Sequence, residues 1–375
     1  MNKNILITGG CGFIGANLAN KLVEKGYNVT LLDNLSPQIH GNNPSLNPLI
    51  KGKVTFIKGD VRNKADWEKA LDNQQIVVHL AAETGTGQSM YEIQKYVDVN
   101  INGTTILLDY LVNNKNSIEK VVVASSRAIY GEGKYYSKQS GIIYPDERAE
   151  KDLLNGEFEL KCPITGQKLE VQATDEDSKI HPTSVYGITK QNQEQMVLTV
   201  CKSINIPAVA FRYQNVYGPG QSLKNPYTGI LSIFSTQIRN GNNLNIFEDG
   251  KESRDFVYID DIVDATILGI ENENITNDVF NVGSGVSTTV LDVAQKLREL
   301  YNSNVEINIT GNFRLGDIRY NYADLSKIHK VLGFTPRYNF DKGIKIFTEW
   351  VMSQELNADN YSRSIEEMKT KGLFK

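Results

Sequence analysis

Short, nearly continuous apolar runs alternate with longer segments of helical periodicity from the first residues to about position 216, and few architectures accept that order. "NILIT" (4–8), "NVTLLD" (28–33), "VTFIKGD" (54–60), "IVVHLAA" (76–82), "KVVVASS" (120–126) and "AVAFRYQNV" (208–216) are rich in β-branched residues. Between them, "FIGANLANKLVEKG" and "NINGTTILLDYLVNN" repeat apolar residues at three- and four-residue intervals. Strands that are apolar on both faces need helices on both faces, so the pattern predicts an α/β, Rossmann-type doubly wound parallel sheet. A smaller mixed α/β lobe is expected to accompany it. No internal repeat or low-complexity tract interrupts the pattern.

The stretch "ILITGGCGFIGANL" gives that sheet a chemical purpose. Gly10, Gly12 and Gly15 form G-x-G-x-x-G directly after a strand and at the opening of a helix. Without side chains, that turn lets a dinucleotide pyrophosphate approach backbone amides and the positive helix end. Gly9, Phe13 and Ile14 belong to the same turn. "VTLLDNLS" ends the second strand with Asp33, followed by Asn34; a carboxylate there suits the hydroxyl pair of an adenosine ribose and repels a 2′-phosphate. NAD is therefore the expected cofactor, rather than NADP. A glycine turn without a ligand is the alternative, and Asp33 argues against it.

Composition narrows the function classes. The 375 residues carry 40 Lys plus Arg against 44 Asp plus Glu, a net charge of −4. That balance offers no broad attraction to nucleic acid or anionic lipid, so neither is an expected partner, and any anion must be met by a local basic pocket. The opening "MNKNILITGG" holds no long apolar signal region and no membrane-length span, which predicts a cytoplasmic protein. Three scattered cysteines, Cys11, Cys162 and Cys201, predict reduced thiols rather than a disulfide framework.

In "SVYGITKQNQEQ" (184–195), Tyr186 and Lys190 stand at helical i, i+4 spacing and share one face. Beside a nicotinamide, an ammonium and the ring's positive charge would both favour the phenolate, making Tyr186 a base for a sugar hydroxyl. Alone, Y-x-x-x-K is a commonplace of helical surfaces. The strand ending "VVVASSRAIYG", with Ser125 and Ser126, is what turns it into a candidate reaction centre.

Taken together, "TGGCGFIG", "LAAETG", "SSRAIYG", "YGITK", "QNVYGPGQS", "RDFVYIDDIVDA", "FNVGSG" and "GDIR" occur in an order that resembles the extended short-chain dehydrogenase/reductase family, and within it the nucleotide-sugar epimerases and dehydratases. The resemblance covers almost the whole chain. It implies that Ser126 hydrogen-bonds the reacting hydroxyl, that Tyr186 is the base, and that Lys190 also holds the nicotinamide ribose. It brings Asp60 and Val61 to the adenine and Ala81 and Ala82 alongside the cofactor. Asn215 and Arg254 are implied at the substrate pyrophosphate, and Arg314 and Asp317 near the phosphates or nucleoside. A guanidinium suits phosphate because its fork donates two parallel hydrogen bonds. For Arg254, Arg314 and Asp317, a surface ion pair is the alternative.

The 4,6-dehydratases of this family carry an Asp-Glu pair after the catalytic hydroxyl residue, because eliminating water needs an extra acid and base. Arg127 and Ala128 stand there instead. Arg127 has the charge to steer a substrate carboxylate, as a decarboxylase requires, but the rest of the chain is unlike those enzymes. "LAAETGTGQSM", "SSRAIYGEG" and "QNVYGPGQSLKNPYTGILSIF" are similar to the dTDP-L-rhamnose 4-epimerase group, which forms dTDP-6-deoxy-L-talose; the CDP-tyvelose 2-epimerase type is the nearest rival. The implied reaction is oxidation of a bound sugar, rotation and re-reduction on one tightly held NAD. Thr84, Thr86, Gln88 and Ser89 are candidates for hydrogen bonds to the turning ring, with Arg127 also facing substrate. A non-catalytic NAD-binding regulator is a different class, but such proteins typically lack the Tyr or the Lys.

The resemblance also sets the expected organisation. Residues 1–214 form the NAD-binding domain, with an insertion at 134–183 and a partial return of segments around 244–290, and residues 215–375 form mainly the nucleotide-sugar lobe. A homodimer is expected through the helices near 100–113 and 186–202. The insertion of similar proteins often has the look of a zinc site. Here Ser137, Ser140 and Thr165 stand at the ligand positions and leave Cys162 alone, so no metal is expected.

Overall fold

The computed structural model describes residues 3–42, 44–227, 229–359 and 361–375. Strands β1 (Asn4–Thr8), β2 (Asn28–Asp33), β3 (Thr55–Lys58), β4 (Ile76–His79), β5 (Lys120–Ser126), β6 (Ala208–Tyr213) and β7 (Asn277–Val282) form one seven-stranded sheet in the order β7-β6-β5-β4-β1-β2-β3. Every pair in it is parallel. The chain runs outward from β1 through β2 to β3 and then crosses to β4 on the other side of β1, so a crevice opens beyond the carboxyl ends of β1 and β4.

Successive side chains of a strand point to opposite faces, and the two cores divide accordingly. Ile5 and Ile7 of β1, Val122 and Ala124 of β5, and Val209 and Phe211 of β6 join one core. Leu6, Val121, Val123, Ala208 and Ala210 join the other. Helix α1 (Phe13–Glu24) covers the first face with Gly15, Ala16, Leu18, Ala19 and Leu22, residues at helical spacing. Helix α2 (Gly103–Asn113) covers the second with Leu107, Leu108 and Leu111, joined by Val197 and Cys201 of α3 (Val185–Ser203). Helix α4 (Ile259–Glu271) packs against α1.

Two expected elements differ in detail. The run "AVAFRYQNV" does not continue as one strand: the Gln214 N–H donates to the Val282 carbonyl, and Asn215–Tyr217 leaves the large sheet to pair with Phe256–Tyr258. Ahead of α2, residues 97–102 form a π-helical turn carrying the buried Asn100. Asn100 accepts from the Glu83 N–H (2.7 Å) and donates to the Glu83 carbonyl (3.0 Å) and the Thr189 hydroxyl (2.9 Å), so the wide turn places one side chain between the loop after β4 and α3.

Beyond β6, Ser253–Tyr258 pairs with Ser287–Thr289, and Leu244–Ile246 with Ile307–Ile309, making a lobe of short strands over the crevice. The 134–183 insertion is itself folded: Tyr135–Ser137 lies between Gly141–Ile143 and Glu170–Val171. Tyr135, Leu160, Cys162 and Leu169 form one small core, and Leu153, Phe158 and Phe313 another. Arg319, 0% exposed, joins insertion to lobe by donating to Glu159 (2.7 Å), Glu248 (2.9 Å) and Asp249 (2.7 Å). A buried guanidinium costs much to desolvate and is tolerated here because carboxylates surround it. Glu248, Asp249 and Glu252 approach one another closely enough to hold a cation, and Arg319 supplies the positive charge in that place.

Candidate active site

A cavity of about 1090 Å³ extends from the crevice into the lobe. Its floor is the glycine turn after β1. Gly9 has φ +65°, and a Cβ there would lie 2.9 Å from the Ala81 backbone; a Cβ on Gly15 would meet the Gly9 carbonyl at 2.4 Å. Bare backbone is therefore required on both sides of the turn, and Gly12 caps α1 with its amide end toward the cavity. Gly9, Gly12, Phe13, Ile14 and Gly15 line the cavity, whereas Gly10 does not: a Cβ there would strike Leu31 at 2.6 Å. Gly10 serves close packing of turn on strand.

Asp33 ends β2 in the same wall. Its carboxylate accepts from the N–H groups of Cys11 (2.9 Å) and Leu35 (2.8 Å), which fixes the turn and aims the carboxylate. His40, which no motif singled out, stands 3.8 Å from it. Asn34, Val61, Ala81 and Ala82 also line the cavity. Asp60 stands between Gly59 and Val61, both of which line the cavity. Its carboxylate takes three hydrogen bonds from Arg62 (backbone N–H 2.9 Å, guanidinium 2.9 and 2.7 Å) and one from Asn34 (3.1 Å), and is held down to about 2 chiefly by Arg62.

At the other end of the turn, Ser126, Tyr186 and Lys190 converge. Ser126 caps the short turn after β5, accepting from the Ala128 N–H (3.1 Å), and its hydroxyl faces the same end of the cavity as the Tyr186 phenol. Burial raises the phenol above its ordinary value, while the Ser126 hydroxyl and the Arg127 charge act against that rise. Lys190 is 2% exposed and donates to Gln193 (2.8 Å); burial pushes it down to about 7. In this arrangement the Lys190 ammonium is directed to Gln193, and the charge that acts to lower the phenol is that of Arg127. Gln193 extends the chain of contacts to Thr104 (2.9 Å) and His79 (3.3 Å), and burial drives His79 down to about 3, so it stays neutral.

Helix α3 is held in place by groups that motif spacing did not single out. Arg212 donates to both oxygens of Glu194 (3.0 and 2.6 Å), and Ser125 donates to Glu194 at 2.5 Å. A bidentate buried pair of this kind fixes orientation as well as charge. Sequence offered one signal for it: charged residues at apolar positions of a strand and a helix.

The lobe contributes cations. Arg127, Asn215, Arg254, Arg314 and Asp317 all line the cavity. The Arg254 guanidinium is no surface ion pair; it donates to the carbonyls of Ser253 (2.8 Å) and Ile318 (2.8 Å). Arg314 pairs with Asp317 (2.7 Å) inside the cavity wall. Burial and the Arg254 charge push Arg127 down to about 9, still protonated at neutral pH. Thr84 and Thr86 line the cavity, but Gln88 and Ser89 do not. Gln88 donates to Gln38 (3.2 Å) and lies within reach of the Tyr96 hydroxyl (3.5 Å), and Ser89 holds the start of α3, so both serve the scaffold. In the insertion, the Cys162 thiol lies 3.8 Å from the Ser140 hydroxyl, and the neighbouring Thr165 acts to lower it.

The NAD dependent epimerase/dehydratase family matches residues 5–149 and 162–283. The chain belongs to that family. Its cofactor is NAD, and the glycine turn and Asp33 fit the pyrophosphate and ribose of that group. Over 361 residues the chain is 37% identical to the dTDP-L-rhamnose 4-epimerase of Burkholderia thailandensis, covering 96% of this chain and 97% of that protein. Among solved structures, this family member is similar to the UDP-N-acetylglucosamine 4-epimerase of Methanobrevibacter ruminantium (TM-score 0.75, 30% identity, 94% and 99% of the two chains). It is also similar to the UDP-glucuronic acid 4-epimerase of Bacillus cereus in complex with UDP-glucuronic acid and NAD (TM-score 0.75, 26% identity, 93% and 99%). Among the described residues no helix is long and apolar enough to cross a membrane.

Proposed function

We propose that this epimerase inverts carbon 4 of a nucleotide-diphosphate 6-deoxysugar and interconverts dTDP-L-rhamnose and dTDP-6-deoxy-L-talose. The carrying observation is the sequence Ser126-Arg127-Ala128 at the reacting end of the cavity, where a hydroxyl and the Tyr186 phenol meet with no acid pair beside them. The 37% identity to the Burkholderia thailandensis enzyme over nearly the whole chain favours this sugar over other family substrates.

NAD, when bound, accepts one hydride and returns it. Tyr186 removes the proton of the sugar hydroxyl, and Ser126 orients that hydroxyl and shares its hydrogen bond. Lys190 anchors the cofactor ribose. Arg254, Arg314 and Asn215 hold the nucleotide end, so that the keto sugar swings about its link to the diphosphate while the nucleotide stays fixed; binding energy placed there does not hinder the turn. Thr84 and Thr86 then supply hydrogen bonds to the turned ring, which presents the opposite face of carbon 4, and Tyr186 gives its proton back to the carbon-4 oxygen.

The same reading assigns residues 1–214 mainly to NAD and 215–375 mainly to the nucleotide sugar. It supports a cytoplasmic homodimer in deoxysugar biosynthesis for cell-surface polysaccharide. Exposed Ile188 on α3 and Val112 on α2 suit the contact between subunits. The test is an NMR assay of the purified protein with a panel of nucleotide-diphosphate 6-deoxysugars. Conversion of dTDP-L-rhamnose to its carbon-4 epimer is expected, and turnover of a CDP-sugar at carbon 2 alone would replace this substrate with another.

A further inference from the structure

The last helix, α5 (Tyr361–Thr370), folds back to the cavity, where Tyr361 joins the lining. Glu367 accepts hydrogen bonds from Tyr227 of the lobe (2.6 Å) and from Tyr91, near the start of the π-helical turn (3.4 Å). Ser364 and Met368 are buried, and the Met368 sulfur lies 3.2 Å from where a Cβ on Gly87 would stand. One helix therefore touches both banks of the cavity.

The chain beyond α5 is equally engaged. Residues 373–375 run beside 313–315: Phe313 donates to the Lys375 carbonyl (2.8 Å), Lys375 donates back (3.0 Å), and Leu315 donates to the Leu373 carbonyl (3.0 Å). Phe374, 7% exposed, bridges to Arg314 and meets the Phe247 ring edge-on at 5.0 Å. The Arg314 guanidinium lies over that same Phe247 ring, 5.4 Å from its centre. Arg314 is thus set by the Phe247 ring, which Phe374 supports edge-on, and by the Asp317 carboxylate. Tyr361, at the head of α5, lines the cavity with Arg314 and Asp317, and the charges of both act on its phenol.

We propose that residues 361–375 form a strap that completes the nucleoside-diphosphate end of the site, with Tyr361 as a direct ligand contact and Phe374 as a positioning residue for Arg314. A phenol ring offers a flat face to a base and a hydroxyl to a phosphate or base oxygen, and the adjacent guanidinium offers charge-assisted hydrogen bonds to the diphosphate. The strap rests on the reading of the cavity as a nucleotide-sugar site, but binding of the nucleotide alone tests it separately from turnover.

The experiment is calorimetric titration of dTDP and of UDP into the full chain with its NAD bound, for wild type, Tyr361→Ala, Tyr361→Leu, Tyr361→Phe and Phe374→Ala, beside kcat, KM, NAD content and Tm. Tyr361→Ala is expected to weaken nucleotide binding about tenfold and raise KM alike, with kcat within about twofold and NAD retained. Phe374→Ala is expected to raise KM through Arg314 with kcat spared, a split that general loss of structure would not give. Wild-type affinity in Tyr361→Ala with full NAD overturns the proposal. Should that variant not fold, Tyr361→Leu decides, because it keeps apolar bulk without the flat face or the hydroxyl: a loss of affinity sustains the proposal and none overturns it, while Tyr361→Phe separates hydroxyl from ring. A wild-type protein that binds dTDP without epimerising the dTDP-sugar removes the proposed substrate and leaves the strap standing. One that binds neither nucleotide removes both.

Discussion

The Ser89 hydroxyl accepts a hydrogen bond from the backbone N–H of Tyr186 at 3.0 Å, across 97 positions of sequence. The same hydroxyl donates to the Thr86 carbonyl at 2.6 Å, so the loop after β4 and the first turn of the catalytic helix share one 0%-exposed oxygen. Ser89→Ala leaves that N–H unpaired, which costs on the order of 1–3 kcal/mol. Turnover should fall severalfold while NAD content stays unchanged, and Ser89→Thr should restore part of it; kcat and Tm measured together check this.

Tyr186→Phe keeps the ring, including its edge contact with Tyr96 at 6.4 Å, and removes the proton acceptor. NAD is expected to stay bound while turnover drops by roughly 10²–10⁴. Lys190→Ala should weaken both, since the proposed mechanism assigns the ribose to its ammonium. Substantial activity in Tyr186→Phe would end the assignment of Tyr186 as base.

The pH profile reports Arg127. Proton abstraction needs the phenolate, so activity rises with pH through the Tyr186 titration, which burial has moved upward and the Arg127 charge has pulled back. Arg127→Ala removes that opposing charge and should shift the acidic limb of kcat to higher pH; Arg127→Lys should shift it less. An unmoved limb would show that Arg127 acts on substrate alone.

Glu252 gives a stability signature. Burial raises its carboxyl to about 7 from an ordinary 4.5, and one oxygen has no hydrogen-bond partner. Between those values the folded chain holds a proton that the unfolded chain releases, so the contribution to stability is full below pH 4.5 and is lost as pH rises through 7. Glu252→Gln should therefore raise Tm by a few degrees at pH 8, about 2–4 °C per kcal/mol, and little at pH 5. Equal shifts at both values would refute the burial argument.

Heavy water distinguishes direct oxidation from enolisation. With Arg127 and Ala128 beside Ser126, no acid pair stands ready to exchange ring hydrogens. dTDP-L-rhamnose turned over in heavy water without added NAD should give product free of ring deuterium, provided the cofactor co-purifies. Deuterium at carbon 3 or 5, seen by NMR, would overturn the mechanism.

Local chemistry decided what the sequence alone determined. An apolar strand, a side-chain-free turn and an amphipathic helix arise from neighbouring residues, so β1, the glycine turn and α1 were legible, as were Asp33 at a strand end and the Tyr186–Lys190 spacing. Gly10 illustrates the limit. The spacing marked it as part of the turn, and only packing against Leu31 showed that its bare Cα faces the sheet rather than the cavity. Charge tuning was equally hidden: i, i+4 spacing set Lys190 near Tyr186, but the direction of its ammonium toward Gln193, and the action of Arg127 on the phenol, depend on groups brought together from β5 and α3. Gln88 and Ser89 sit in a stretch that reads as a ligand loop, and hydrogen bonds to other side chains and to distant backbone fixed them as scaffold. The return of the final residues to Arg314 left no trace in periodicity, because a backbone pairing of 373–375 with 313–315 requires no side-chain pattern in either stretch. Contacts between neighbours in sequence are written in the sequence, whereas contacts across the fold exist only once burial has chosen which distant surfaces meet.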